Sequence, residues 1–258
     1  MAVEDNKGAG QKRNPAGDGS PGDTSILVLI PAWNEARTIG PIVEAVAARL
    51  PVLVVDDGST DTTAECARRA GAEVIAHPAN RRKGAALKTG FAWAMEKGYG
   101  AVITMDADGQ HDPEDLGRFL DAHRQARAGL VIGERQFAEM PWPNRFTTPL
   151  GSKILSLALG IPVTDNQSGF RLLTRDFLER MHLASDGYEL EVEMIWEAVR
   201  LKMPPAWVPI RTIYFRDRQS GFHPVVDTWH FLRMVCTIWR SRVQWDRRCR
   251  TLPEAKHP

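Results

Sequence analysis

The sequence predicts an α/β protein, with a mostly parallel sheet covered by helices on both faces. Three observations predict it. Short, wholly apolar runs recur along the chain and suit strands buried on both sides. Segments of helical period separate them, and alternation of this kind builds parallel sheets through right-handed crossovers. Acidic and glycine-rich turns fall at the carboxyl ends of the apolar runs, where open α/β sheets bind ligands.

The elements follow in order. Residues 1–24 carry Gly, Pro, Asn, Asp and Lys with almost nothing to bury, and are expected to form a disordered tail. Ile26-Leu27-Val28-Leu29-Ile30 predicts the first strand, ended by Pro31. Residues 38–50 place Ile39, Ile42, Val43, Val46 and Leu50 at helical spacing. Val52-Leu53-Val54-Val55 is the second strand. Residues 60–70 form a helix stopped by Gly71, 73–76 a short strand, and 83–97 a helix stopped by Gly98. Ala101-Val102-Ile103-Thr104-Met105 predicts another strand, residues 113–128 a helix and 130–132 a strand. Beyond Gly133 the pattern changes. Residues 134–149 predict a loop rich in Pro, Arg and aromatics, and 150–159 a short apolar helix. Residues 166–173 run from polar to apolar, 190–201 form an amphipathic helix and 207–215 a strand. Residues 227–245 predict a wide apolar helix with a narrow polar stripe, followed by a polar tail. One domain is expected over residues 25–225, with residues 226–258 as an appended helix and tail.

The 258 residues are 43% hydrophobic and 25% charged, enough to bury a sizeable core. A net charge of +1 argues against a nucleic-acid partner held by a whole-surface basic field. Three cysteines without metal-ligand spacing fit a reducing compartment and neither a disulfide framework nor a zinc site. No window reaches the ~18 apolar residues of a membrane span, and no apolar leader opens the chain. A cytoplasmic location is expected, peripheral on the cytoplasmic face of a membrane.

Asp106-Ala107-Asp108-Gly109-Gln110-His111 is the most informative stretch. Turn chemistry alone accounts for Asp and Gly in a loop. It does not account for two carboxylates one residue apart at the end of a buried strand. Hard oxygen donors on such a turn suit Mg²⁺ or Mn²⁺ bridging to phosphate. Asp56-Asp57-Gly58-Ser59-Thr60-Asp61 is a second acidic turn. Helix capping explains Thr60 and Asp61 but not Asp56 and Asp57, which sit where a ribose or base edge is held. Asn80-Arg81-Arg82-Lys83-Gly84 opens a helix, and both its basic side chains and its helix terminus favour an anion. Neither a P-loop nor a Gly-x-Gly-x-x-Gly strand turn is present. Together these segments point to a nucleoside diphosphate with a divalent ion.

Pro31-Ala32-Trp33-Asn34-Glu35, Val55-Asp56-Asp57-Gly58-Ser59, Lys83-Gly84, the Asp106–His111 stretch and Gln167-Ser168-Gly169-Phe170-Arg171 occur in an order and spacing that resemble family 2 glycosyltransferases. They look most like the branch that acts on dolichyl or polyprenyl phosphate. The resemblance implies the GT-A fold, a GDP- or UDP-hexose donor, Mg²⁺ or Mn²⁺, and inversion at the anomeric carbon. It implies that Pro31, Ala32, Asn34, Glu35, Asp57 and Lys83 bind the donor, that Asp106 faces ribose or sugar, and that Asp108 and Gln110 hold the metal. Arg135, Arg145 and Arg218, with Arg216 as the alternative to Arg218, and Ser168 are implied to hold the acceptor phosphate. Asp106, Asp108, Arg135 and Arg218 are the catalytic set. Gly133-Glu134-Arg135 departs from the family's Gly-Ser-Arg at Glu134.

A polyprenyl phosphate acceptor fits the chemistry. Its second ionisation lies near pH 6, so at neutral pH it is largely a dianion and already a nucleophile. It needs arginines to position it rather than a general base. A hydroxyl acceptor such as a glycan is the rival, with Glu189, Glu191 or Glu193 as base. A non-catalytic nucleotide-sugar-binding protein is the second rival. The aromatics and arginines of residues 227–245 predict a helix lying in a lipid interface, which makes the membrane surface a partner.

Overall fold

A computed structural model describes residues 25–126, 128–136, 144–213 and 235. Seven strands form one sheet in the order β3-β2-β1-β4-β6-β5-β7. They are β1 (Ile26–Ala32), β2 (Val52–Asp56), β3 (Glu73–Ala76), β4 (Ala101–Thr104), β5 (Leu130–Arg135), β6 (Arg171–Thr174) and β7 (Ala206–Ile210). The helices are α1 (Ile39–Ala47), α2 (Thr63–Arg69), α3 (Lys83–Glu96), α4 (Leu116–Ala126), α5 (Asn144–Leu159), α6 (Arg175–Arg180) and α7 (Glu189–Arg200). The expected α/β class and mostly parallel sheet are both present. The exception is β6, antiparallel to β4 and β5.

Because side chains alternate along a strand, β1 feeds two cores. Leu27 and Leu29 point to one face and pack with Leu87 and Phe91 of α3 and with Leu190 and Ile195 of α7. Val28, Ile30 and Ala32 point to the other and meet Ile39, Val43 and Val46 of α1 and Phe119 of α4. All these residues are buried, as the continuous apolar run requires of a central strand.

Pro31 does not end β1, contrary to the expectation. Val28 N donates to Pro51 O (2.9 Å) and Ala32 O accepts from Asp57 N (2.8 Å), so even-numbered residues bond toward β2. Leu29 O accepts from Met105 N (3.0 Å), so odd-numbered residues bond toward β4. Pairing with β4 stops at Leu29. Pro31 therefore turns its missing N–H toward a side where no ladder remains.

Other boundaries moved for local reasons. Helix α2 starts at Thr63 rather than residue 60, because Asn34 and Asp61 engage the backbone of residues 60–63 in a turn. A 3-10 turn, Pro113–Asp115, precedes α4 and is capped by the Asp112 side chain. Strand β5 runs on to Arg135 along β7. Helix α5 begins at Asn144, five residues before Pro149, where a loop was expected. Helix α6 was not foreseen, and β7 ends at Ile210 rather than residue 215. The tail over 1–24 and the helix over 227–245 lie outside the described residues except for Val235, which packs against the core face shared by α3 and α7.

Two glycines test this packing. Gly90 of α3 lies so close to the buried Leu29 that a Cβ would collide with it, whereas Gly40 of α1 faces open space. Gly90→Ala is expected to lose about 1–3 kcal/mol in urea unfolding through overpacking. Gly40→Ala is expected to gain about 0.4–1 kcal/mol by restricting the unfolded chain.

Candidate active site

The parallel strands bring their carboxyl ends to one edge of the sheet, and antiparallel β6 brings its amino end to the same edge. The turns there form the site.

Its centre is an ammonium. Lys83, the first residue of α3, places Nζ 2.5 Å from Asp106 Oδ1 and 2.6 Å from Glu191 Oε1 of α7. The Tyr188 ring lies 5.7 Å away. The Lys83 side chain is 17% exposed, Glu191 only 6% and Asp106 25%. Burial works against the lysine's charge, but Asp106 and Glu191 outweigh it and hold the ammonium well above the ordinary lysine range. Burial alone would raise the Asp106 carboxyl, yet Lys83 and His111, whose Nε2 is 3.4 Å from Oδ2, hold it far below the carboxylate range. Asp106 also packs on Gly169, where any Cβ would strike the carboxylate.

Asp108 lies two residues on. Its Oδ1 accepts from Gln110 N (2.9 Å) across Gly109, whose φ of 75° suits glycine. Among the described residues no three or more His, Cys, Asp or Glu side chains cluster as a metal site. Two hard-oxygen side chains on one turn, Asp108 and Gln110, nevertheless fit Mg²⁺ or Mn²⁺ on a substrate phosphate, since these ions keep most of their ligands as water or substrate. His111 is buried against Phe170, ring centroids 5.1 Å apart, and its Nδ1 has no hydrogen-bond partner among the described residues.

The turns after β1 and β2 are laced together. Asn34 Oδ1 accepts from Thr60 N, and Asn34 N donates to Ser59 Oγ, both at 2.8 Å. Asn34 has φ 54°, a conformation asparagine tolerates. Glu35 N donates to Thr63 Oγ1 (2.8 Å), and Ala36 N donates to Asp61 Oδ2 (3.2 Å). Pro31 and Ala32 lie within β1, and Trp33 beside them is 53% exposed. Asp57 is buried, and both its oxygens accept from Arg81 N at 3.0 Å. Gly58, φ 74°, faces Ala79 and Asn80 so closely that no side chain fits.

On the far side Arg135, at the end of β5, forms a two-pronged pair with the fully buried Asp165. Nε donates to Oδ2 (2.6 Å) and Nη2 to Oδ1 (2.9 Å). Ser168 is buried, and its Oγ has no partner among the described residues. Arg171 is buried outright; its Nε donates to Ser168 O (2.7 Å) and its Nη1 to Glu191 O. Burial lowers this guanidinium from its usual range, while Glu191 and Asp165 oppose the shift.

The structure thus brings together Lys83, Asp106, His111 and Glu191 directly, with Asp108 and Gln110 on the same turn. Asp57, Asn34 and Glu35 form a second group and Arg135 a third. Arg145 lies on α5, its side chain outside the described residues, as are Arg216 and Arg218. Of the rival bases, Glu191 is paired with Lys83, and Glu193 accepts from Ala184 N and Ser185 N. Sequence reasoning missed His77 and Asp165. Only the position of Asp165 just before the Gln167–Arg171 motif hinted at it.

A sheet of this topology with an Asp-x-Asp turn at its carboxyl edge is the GT-A architecture of glycosyltransferases. It superimposes on glucosyl-3-phosphoglycerate synthase of Mycobacterium tuberculosis bound to phosphoglyceric acid, with TM-score 0.66, 22% identity, and 85% of this chain and 80% of that one covered. The same enzyme bound to Mn²⁺, uridine diphosphate and glucosyl-3-phosphoglycerate gives TM-score 0.63 at 23% identity over 85% of this chain and 80% of that one.

Residues 27–181 match glycosyl transferase family 2, and the chain belongs to that family. It is a glycosyltransferase. It is 33% identical over 212 residues to polyprenol monophosphomannose synthase of Mycolicibacterium smegmatis, covering 76% of this chain and 78% of that protein. It is 35% identical over 213 residues to undecaprenyl-phosphate mannosyltransferase of Micrococcus luteus, covering 76% and 85%. Among the described residues no helix is long and apolar enough to cross a membrane.

The Arg135–Asp165 pair makes a pH-dependent prediction. Burial pushes the Asp165 carboxyl up, but Arg135 outweighs it and holds the group below the usual range. A depressed carboxyl stabilises the fold above its unfolded pKa, about 3.9, and that stability is lost as pH falls through the folded value. Asp165→Asn is expected to cost about 3 kcal/mol near neutrality, the low end for a broken buried pair. In urea unfolding at a series of pH values, the gap to wild type should stay level from about pH 5 to 8 and narrow below about pH 4.

Proposed function

We propose that the chain transfers one hexose from a GDP- or UDP-hexose to a polyprenyl phosphate, with inversion at the anomeric carbon. The observation that carries this is the state of Glu191. A hydroxyl acceptor needs a positioned base. Glu191, the best-placed carboxylate of α7, instead lies 2.6 Å from the Lys83 ammonium and is committed to that pair. A lipid phosphate dianion needs no such base. The relatives named for polyprenol, undecaprenyl phosphate and dolichyl phosphate substrates favour the same acceptor.

In this reading the turns at Asn34 and Asp57 hold the nucleoside, and Lys83 orients Asp106 toward ribose or sugar. Asp108 and Gln110 hold Mg²⁺ or Mn²⁺, which when bound neutralises the leaving diphosphate. Arg135, kept in one orientation by Asp165, acts with Ser168, Arg145 and Arg218, or Arg216 in place of Arg218, to bind the acceptor phosphate. An acceptor phosphate oxygen attacks the anomeric carbon as the bond to the nucleoside diphosphate breaks. The products are polyprenyl-phosphate hexose and a nucleoside diphosphate.

The test offers short-chain polyprenyl phosphate and saccharide acceptors in parallel, each with GDP- and UDP-hexoses and Mn²⁺. Product on the lipid phosphate alone is expected, and product on saccharides alone overturns the reading. Asp108→Asn should abolish transfer while its circular dichroism and melting stay close to wild type. Chelation should silence the wild-type enzyme and added Mn²⁺ should restore it.

The proposed location is peripheral, with residues 227–245 in the lipid interface. Local arginines contribute about 1 kcal/mol each near an anionic surface. The protein should sediment with anionic liposomes at low salt and be released at high salt, and deletion from Thr228 onward should abolish sedimentation. Intact protein left in the supernatant at low salt refutes the location.

A further inference from the structure

His77 follows β3, is buried, and takes no part in the site as described so far. Its Nδ1 lies 2.6 Å from Asp57 Oδ1, and its Nε2 lies 3.0 Å from Thr89 Oγ1 of α3. Thr89 Oγ1 also lies 3.0 Å from Ala85 O, one turn back in α3, so the hydroxyl that meets Nε2 is held by its own helix. A carboxylate only accepts, so Nδ1 carries the hydrogen of the other bond and donates it to Asp57 Oδ1.

This fixes what Asp57 offers a ligand. A carboxylate has about four acceptor positions. His77 takes one on Oδ1, and Arg81 N spans both oxygens. The oxygen that His77 leaves alone, Oδ2, keeps a position for a base N–H or a ribose hydroxyl.

We propose that His77, braced by Thr89, is the positioning residue that keeps the Asp57 carboxylate aimed at the nucleoside of the donor. This rests on the reading that Asp57 contacts the nucleoside. The test uses the full-length protein, with GDP and UDP in Mn²⁺ as calorimetric probes. The amide nitrogen of His77→Asn reaches the Nδ1 position, and its nucleotide Kd should stay near wild type. The amide of His77→Gln reaches the Nε2 position instead and abandons Asp57, and its Kd should rise about ten- to a hundredfold. Asp57→Asn should weaken binding comparably, and the double variant His77→Gln/Asp57→Asn should be no weaker than Asp57→Asn alone. Equal losses in His77→Asn and His77→Gln, or additive losses in the double variant, overturn the proposal.

Histidine ¹⁵N spectra of the wild type near neutral pH give a readout independent of variant stability. The His77 ring, identified by the loss of its signals in His77→Gln, should show a protonated Nδ1. A bare Nδ1 overturns the donation to Asp57 and with it the proposal. A protonated Nδ1 together with an Asp57→Asn variant that binds both nucleotides normally refutes only the nucleoside role of Asp57.

Discussion

One ammonium organises the carboxyl edge of the sheet. Lys83 Nζ ties the start of α3 to the turn after β4 through Asp106 and to α7 through Glu191. These elements lie far apart in sequence and would otherwise meet only through apolar packing, which sets distances but not the aim of a carboxylate. The arrangement is self-consistent electrostatically. Either carboxylate alone against the lysine would leave less to oppose the cost of burial, and the lysine alone would be an uncompensated charge. The close approach of Gly84 to Asp186 belongs to the same constraint. The segment leading into α7 must lie against the first turn of α3 for Glu191 to reach Lys83, and only glycine leaves room.

A second pair does similar work at the end of β5. Asp165 holds Arg135 by two parallel contacts, which fix the plane of the guanidinium as well as its position. A lysine could supply the charge but not that plane. Arg171, bonded to Ser168 O, stiffens the Gln167–Phe170 loop from beneath, and Thr104 Oγ1 donates to Gly169 O at 2.7 Å.

Much of the fold was legible because its strands are buried on both faces, so Ile26–Ile30 and Ala101–Thr104 stand out as unbroken apolar runs. What stayed hidden depends on partners distant in sequence. The direction of β6 is not written in its four residues; it follows from pairing with β4 and β5. Pro149 disguised the start of α5, since a proline reads as a breaker until its surroundings are known. The site divided along the same line. Residues on strand-end turns, such as Asp106 and Asp108, carry their own signal. Asp165 and His77 owe their significance to partners 30 and 20 residues away. A lone histidine before a proline gives no hint of its partner.

The turn carrying Asp108 and the chain that leaves β7 are fastened to each other. Ile213 N donates to Gln110 O (2.9 Å), Thr212 bridges His111, and Arg211 N donates to Asp115 Oδ2 (2.7 Å). Residues 211–213 are therefore anchored on the Asp108 turn and the residues that follow it. Thermodynamic linkage makes such a connection run both ways. Whatever free energy an occupant of the Asp108 turn contributes to holding residues 211–213 in place, an occupant held by those residues returns to the turn in equal measure. The order in which two such occupants arrive then changes the route to the doubly occupied state but not its total binding free energy.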